Sequence, residues 1–341
     1  MSTVSLTRQQ DASRRIFDRI TRAREVGIVV AIVVVFLTTT AKNPAFSHGP
    51  SIQQLLAGAS LIALLGAGET LVVVPRNVDL SVGSVLGLSA YLVGREFTQH
   101  PGMPLIAAYA LGIGVGMVCG AINGLLTTVL RIPSLVVTLA ALYVIRGLDA
   151  LIADGKQVDP SSVPASFQKL GTSALFNIPW LAILVAVIVT AIAYAARSFR
   201  GARDLYAIGS NPDAAALAGI RTGPRVFTAF VVSGSLAGLG GVLFLSEFAT
   251  VASTAGTGYE LLVVAAVVVG GVAIFGGSGT VLGAALGALL LNTINQALVA
   301  ARVSAFWNQA IAGGLLLAAI AFDRYLSMRI DRALLSERRQ G

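Results

Sequence analysis

Ten long apolar blocks, none of them alternating with polar residues, constrain this chain more than any other feature. They lie near 26–41, 52–74, 81–94, 104–130, 133–153, 178–196, 225–245, 261–275, 279–300 and 306–322. A helix needs about 20 residues to cross roughly 30 Å of hydrocarbon. Inside a bilayer every backbone N–H and C=O must be satisfied internally, which leaves helix bundles and closed barrels. Barrel strands alternate apolar and polar residues, so the uninterrupted runs select helices. The expected fold is an all-α polytopic bundle of about ten membrane helices. Composition agrees: 55% of residues are hydrophobic, 12% are charged and the mean hydropathy is +0.82. Soluble domains carry about 25% charged residues.

Arginine placement orients the bundle. Six of the 24 Lys and Arg fall within residues 1–25, five within 197–225 and five in the tail beyond 322. Basic residues near span ends stay cytoplasmic. Six spans separate the first pair of clusters and four the second, so all three clusters lie on one side. The reading is a cytoplasmic N-terminal segment over 1–25, a transmembrane domain over 26–322 with a cytoplasmic loop at 197–225, and a cytoplasmic tail over 323–341. A cleavable signal is the alternative for the first block. The long basic region, the KNPAF that follows and the missing small-x-small cleavage pattern favour a retained span. The net charge of +8 is thus an orientation signal and a contact for lipid headgroups, not a nucleic-acid footprint. The loop 154–177, rich in Pro and Ser, reads as an irregular external connection, either spacing or the edge of a docking site.

Catalytic and metal chemistry find little support. Cys119 is the lone cysteine, and His48 and His100 stand in polar connections. The sequence offers no Ser/His/Asp set and no metal-ligand spacing. It holds no G-x-x-x-x-G-K-[ST] phosphate loop either, so no ATP site is expected on this chain.

The loop at 197–225 carries the most information. Asn211 suits an N-cap, Pro212 the first helical position and Asp213 the positive end of the helix dipole. Gly219 suits a left-handed helix stop. A short helix is therefore specified over 212–218, with Ala214, Ala215 and Ala218 as a small face and Leu217 as apolar anchorage. On capping alone it is a well-made connector or a docking element. The string GARDLYAIGSNPDAAALAGI (201–220) resembles the coupling-helix region of bacterial ATP-binding cassette permeases for monosaccharides, a family that includes ribose, xylose, rhamnose and autoinducer-2 importers. NVDLSVGS (77–84), RIPSLVVTL (131–139) followed by Arg146 and Gly147, and VGGVAIFGGSG (269–279) resemble further markers of that family, in the same order. PRNVD (75–79), GTG (256–258) and AFWNQ (305–309) look most like autoinducer-2 permeases, with rhamnose permeases next.

The resemblance implies ten helices per subunit and a second permease, either another copy or a paralogue. It also implies ATPase subunits that bind ATP–Mg and dock on Asn211–Gly219, and an extracytoplasmic solute-binding protein. The chain itself would be a transport subunit of the cell membrane rather than an enzyme, carrying a monosaccharide or sugar-like solute.

Ionisable groups at membrane depth cost roughly 2.5–3.5 kcal/mol on insertion scales, so each has a partner or a task. Arg146 and Asp149, three residues apart, are expected to pair along one helix face. Pro75 interrupts the helix before Arg76 and Asp79. Asn77, Asp79 and Ser81 are candidates for a solute pathway, the plainer reading being that Asp79 or Ser81 caps the next helix. Asn123, Thr138, Asn292 and Asn295 either touch a hydroxylated solute or bridge helices. Glycines four apart in 234–241 and 283–290 read as helix packing. An ion-coupled carrier using Glu69 and Asp79 is the competing function.

Overall fold

A computed structural model describes residues 25–303 and scattered positions between 307 and 321. The described chain is helical almost throughout. Seven helices are long and apolar enough to cross a membrane: α1 (Glu25–Lys42), α2 (Gly49–Val73), α4 (Leu105–Thr128), α5 (Ser134–Ala153), α7 (Trp180–Ser198), α10 (Thr222–Phe248) and α12 (Val281–Ala300). Helix α3 (Val82–Gln99) has the length but carries more polar residues, and α11 (Tyr259–Val269) is short. Nine of the ten expected spans thus correspond to helices, and the block at 306–322 lies almost wholly outside the described residues.

At about 1.5 Å per residue, α2 reaches roughly 37 Å and α11 only about 16 Å. The expected span 261–275 ends early because Gly270 and Gly271 turn the chain, Gly271 at φ +101.

Helices α2 and α10 form the centre, with α1 on the periphery. Helix α4 lies against α10 through glycines. Gly116 meets Gly234 and Gly238, and Gly120 meets the Phe230 carbonyl, so closely that an added Cβ would collide with backbone, whereas at Gly112 it would collide with the Val242 side chain. Gly283 and Gly287 seat α12 on the Ala266–Gly270 end of α11 in the same way. Without a hydrophobic drive between helices in lipid, such close approach supplies dispersion contact instead. The four-residue glycine spacing read from sequence is therefore packing.

Two connections between helices are irregular segments packed against the bundle. After α2 the chain turns at Pro75 and climbs back through 76–81 to α3. After α10 the segment 249–258 runs down alongside α3. Val251 bridges Val158, which packs on Gly94, whereas Ala255 and Gly256 lie against Gly87 and Gly83. From Gly94 to Gly83 is a descent of about 16 Å along the helix.

The loop 154–177 departs from the sequence expectation. It contains a 3-10 turn at Pro160–Ser162, a helix α6 (Ala165–Thr172) and half of a two-residue antiparallel pairing between β1 (Ala174–Leu175) and β2 (Ile178–Pro179). Val158, Val163 and Phe167 anchor it: Phe167 is buried against Phe97, with ring centroids 4.9 Å apart. The Ser246 hydroxyl donates to the Phe167 carbonyl at 2.7 Å and accepts from the Gly171 N–H at 3.1 Å. This segment is a folded cap over one end of the bundle, its apolar anchors hidden among Pro and Ser.

Candidate functional site

At the opposite end, the loop after α7 forms two helices rather than one. Helix α8 (Arg200–Ser210) is strongly two-faced and buries Leu205, Ile208 and Gly209. It was not foreseen, because its apolar positions are few and lie among arginines. Asn211 ends α8 and caps α9 (Pro212–Leu217), its Oδ1 accepting the Ala214 N–H at 3.0 Å. The C-terminus closes as a Schellman motif: the Gly219 N–H donates to Ala216 O and the Ile220 N–H to Ala215 O, both at 3.0 Å. Gly219 sits at φ +81, which glycine adopts without steric cost. The start and stop signals in the sequence thus form the caps they specify.

The exposed face of α9 differs from the expectation in one residue. Ala215 is buried against the protein, so it seats the helix. Ala214, Leu217 and Ala218 face outward, and Leu217 is 90% exposed. Capping signals fix where a short helix begins and ends but not which side it lies on, and the position 215 methyl fits where a longer side chain would not.

The break between α2 and α3 gathers most of the polar candidates. Val72, Val73, Arg76 and Asn77 close α2 with another Schellman pattern, in which Arg76 takes the left-handed position at φ +68. Asp79 Oδ1 accepts from the Ser81 N–H at 2.9 Å and from the Ser81 hydroxyl at 2.6 Å. Asn123 on α4 donates to Ser81 Oγ at 2.8 Å. Thr138 on α5 donates to Val78 O at 3.2 Å, and Ser134 Oγ accepts from the Val78 N–H at 3.2 Å. Glu69 on α2 accepts the Asp79 N–H at 3.0 Å, leaving its other carboxyl oxygen buried and unpartnered among the described residues. Asn77 folds back to donate to Pro75 O at 3.0 Å. Side chains from α2, α4 and α5 thus hold one short unwound segment. Asp79 accepts the N–H and hydroxyl of Ser81, the residue just before α3, and Ser81 does not act as a side-chain cap.

An apolar cavity of about 380 Å³, lined by Leu88, Cys119, Asn123, Ile132, Val137 and Ile145, adjoins this cluster between α4 and α5. That volume is at the lower end of those that hold small ligands. Asn123 belongs both to this wall and to the hydrogen-bonded segment behind it.

Asn292 and Asn295 stand apart. The Asn292 amide donates to Leu55 O at 2.7 Å, tying α12 to the first third of α2. Leu55 and Glu69 are separated by roughly 21 Å along α2. Asn295 is half-buried further along α12.

The second break places the remaining ions, and here the expected Arg146–Asp149 pair is not formed. Arg146 instead donates to Ala255 O and lies 3.8 Å from Glu260. Both Asp149 carboxyl oxygens are buried without a hydrogen-bond partner among the described residues. Spacing of three puts two residues on one side of a helix, but the carbonyl of a descending neighbour competes for the guanidinium. Glu260 went unnoticed in sequence, although it is the second residue after GTG and sits in the first turn of α11.

A many-helix membrane bundle with two irregular connections packed against it and a capped helix on an exposed arm is the build of a multi-pass permease. Comparison with known proteins agrees. Residues 51–320 match the family described as branched-chain amino acid transport system / permease component. The chain is 36% identical over 309 residues to the autoinducer 2 import system permease protein LsrC of Yersinia pseudotuberculosis serotype O:3, covering 91% of this chain and 87% of that protein. The LsrC of Yersinia enterocolitica serotype O:8 is equally similar, with 85% of its length covered. No solved structure matches significantly. This chain belongs to that permease family of ATP-binding cassette importers, in keeping with the markers at 77–84, 131–139, 201–220 and 269–279.

Proposed function

We propose that this chain is the translocating subunit of an importer for autoinducer 2 or a closely related small hydroxylated, sugar-like solute. The observation that carries the reading is the 36% identity to autoinducer 2 import permeases over 91% of the chain. The family description by itself names branched-chain amino acid transport, so the solute rests on the relatives. The apolar cavity backed by Asn123, Ser81, Asp79, Asn77 and Thr138 suits a solute that passes through with few hydrogen bonds. Affinity would then reside mainly in an external binding protein, with a second permease subunit completing the pathway.

The energy source is a separate ATPase, holding ATP–Mg, that docks on α9. Orientation follows from the arginine clusters: both termini and α8–α9 face the cytoplasm, and α6 faces outward.

Leu217 supplies a direct test. Burying a leucine contributes about 1.5–3 kcal/mol, at least a tenfold effect on a contact. Leu217→Asp is expected to insert at wild-type levels, to co-purify with far less ATPase and to lose at least 90% of autoinducer 2 uptake in proteoliposomes. Full uptake would make α9 a connector only. Uptake of leucine, but not of autoinducer 2 or rhamnose, by the wild-type complex would overturn the solute. Uptake that follows a proton gradient and ignores ATP would favour the ion-coupled reading, in which the free Glu69 oxygen takes the proton.

A further inference from the structure

Among the described residues, Arg76 is the residue of the α2–α3 break whose side chain hydrogen-bonds to the arm. Its Nε donates to Gly209 O at 2.7 Å and its Nη2 to Ser210 O at 2.8 Å. These are carbonyls of the last turn of α8, where the helix dipole is negative and no intrahelical donor remains. A guanidinium presents two donors in a fixed fork, so the pair fixes direction as well as distance. One residue later, Asn211 opens α9.

The surroundings leave this contact little freedom. Gly209 lies against the Val74 carbonyl and the Gly277 amide so closely that a Cβ has no room. The Gly277 N–H donates to Val74 O at 2.9 Å, and Gly276, at φ +84, packs on the Arg76 side chain. On its other side Arg76 is three residues from Asp79, and the chain between them is held by Ser134 and Thr138.

Arg76 also stands where a helix end favours glycine. A non-glycine residue in the left-handed region costs about 1 kcal/mol or more, and the site retains it.

We propose that Arg76 is a positioning residue that transmits movement of the α8–α9 arm to the unwound segment 77–81, so that displacement of α9 shifts the hydrogen-bonded segment of Asp79 and Ser81 behind the Asn123 wall. The inference rests on the reading of α9 as the ATPase-docking element. The route is short: α9, the last carbonyls of α8, the guanidinium, then the break.

Arg76→Gly removes the whole side chain without straining the backbone, because glycine adopts φ +68 freely. The complex, purified with its ATPase through a tag on this chain, is reconstituted in proteoliposomes and read in two ways. One is autoinducer 2 taken up per ATP hydrolysed. The other is thiol labelling of Asn77→Cys and, separately, Leu217→Cys in a Cys119→Ser background, with and without vanadate trapping of the ATPase.

With Arg76→Gly, ATPase recovery and ATP hydrolysis are expected to stay within twofold of wild type. Uptake per ATP should fall at least tenfold. Trapping should still protect position 217 but no longer change labelling at 77. Arg76→Lys, with one donor group and the charge retained, should recover part of the ratio. An unchanged ratio and an unchanged labelling response at 77 in Arg76→Gly would overturn the proposal. So would loss of ATPase recovery, which would make Arg76 a support for docking. Failure of the docking reading shows separately, as absence of trapping-dependent protection at 217 in the complex that retains Arg76.

Discussion

The two interruptions of the bundle are built by opposite means. The one after α2 is held by side chains: Asp79, Ser81, Asn123, Ser134, Thr138 and Glu69 share a short stretch of backbone, each with at least one hydrogen bond. The one before α11 is shaped by backbone, with Gly256 at φ +71 and Gly258 at φ +89, and it leans on the single cation Arg146. Several partners that share the load can be lost one at a time. A single ion serving a carbonyl and a carboxylate cannot. The first break should therefore tolerate conservative change while its function shifts, and the second should fail as a whole.

The largest effect is expected at the second break. Arg146→Met takes the charged donor from Ala255 O and the cation from half-buried Glu260, and losing a hydrogen bond to a charged group costs about 1.5–3 kcal/mol. Thermal unfolding in detergent should show a large drop, partly recovered by adding Glu260→Gln. If Arg146→Met unfolds at the wild-type temperature, the second break does not depend on its cation and the contrast collapses.

An intermediate effect is expected at the first break. Asp79→Ala leaves the Ser81 N–H and hydroxyl without their acceptor, a loss of about 1–3 kcal/mol, and uptake should drop severalfold. Asp79→Asn retains a carbonyl oxygen for the same two donors and should keep at least half of wild-type uptake. Equal loss in both variants would assign the carboxylate a role beyond capping.

The smallest effect sharpens the comparison from outside both breaks. Asn292→Ala deletes one bridge to Leu55, worth about 1 kcal/mol on the scale of interhelical hydrogen bonds, and should leave uptake unchanged. A selective uptake defect at normal stability would move Asn292 into the solute path.

What the sequence discloses follows from the solvent it is written for. Hydrocarbon demands long apolar helices, so nine blocks are legible as helices, and the punctuation of α9 is legible because Asn, Pro and Gly act locally. The pairing of Arg146 is not, because it depends on where the 249–258 segment descends. The seat of Ala215 is hidden for the same reason, since only its neighbours decide which face of α9 is free. Helix α8 and the 154–177 cap escape because a handful of anchors, Leu205, Ile208 and Phe167, carry them within polar stretches. Asn77, Asp79, Ser81, Asn123 and Thr138 do come together, drawn by one unwound segment whose amides and carbonyls need partners, whereas Asn292 serves a different contact.

The seam between α4 and α10 has a mechanical consequence. Interfaces made of interlocking side chains can ratchet, because rotamers exchange and one ridge hops into the next groove. Along Gly112, Gly116, Gly120, Gly234 and Gly238 the two backbones touch with no rotamers between them. Such a joint has no intermediate notch to occupy. It holds or it parts. The two helices therefore behave as one stiff beam, and any hinge that alternates access must sit beside them, at elements such as the half-length α11 or the unwound start of α3.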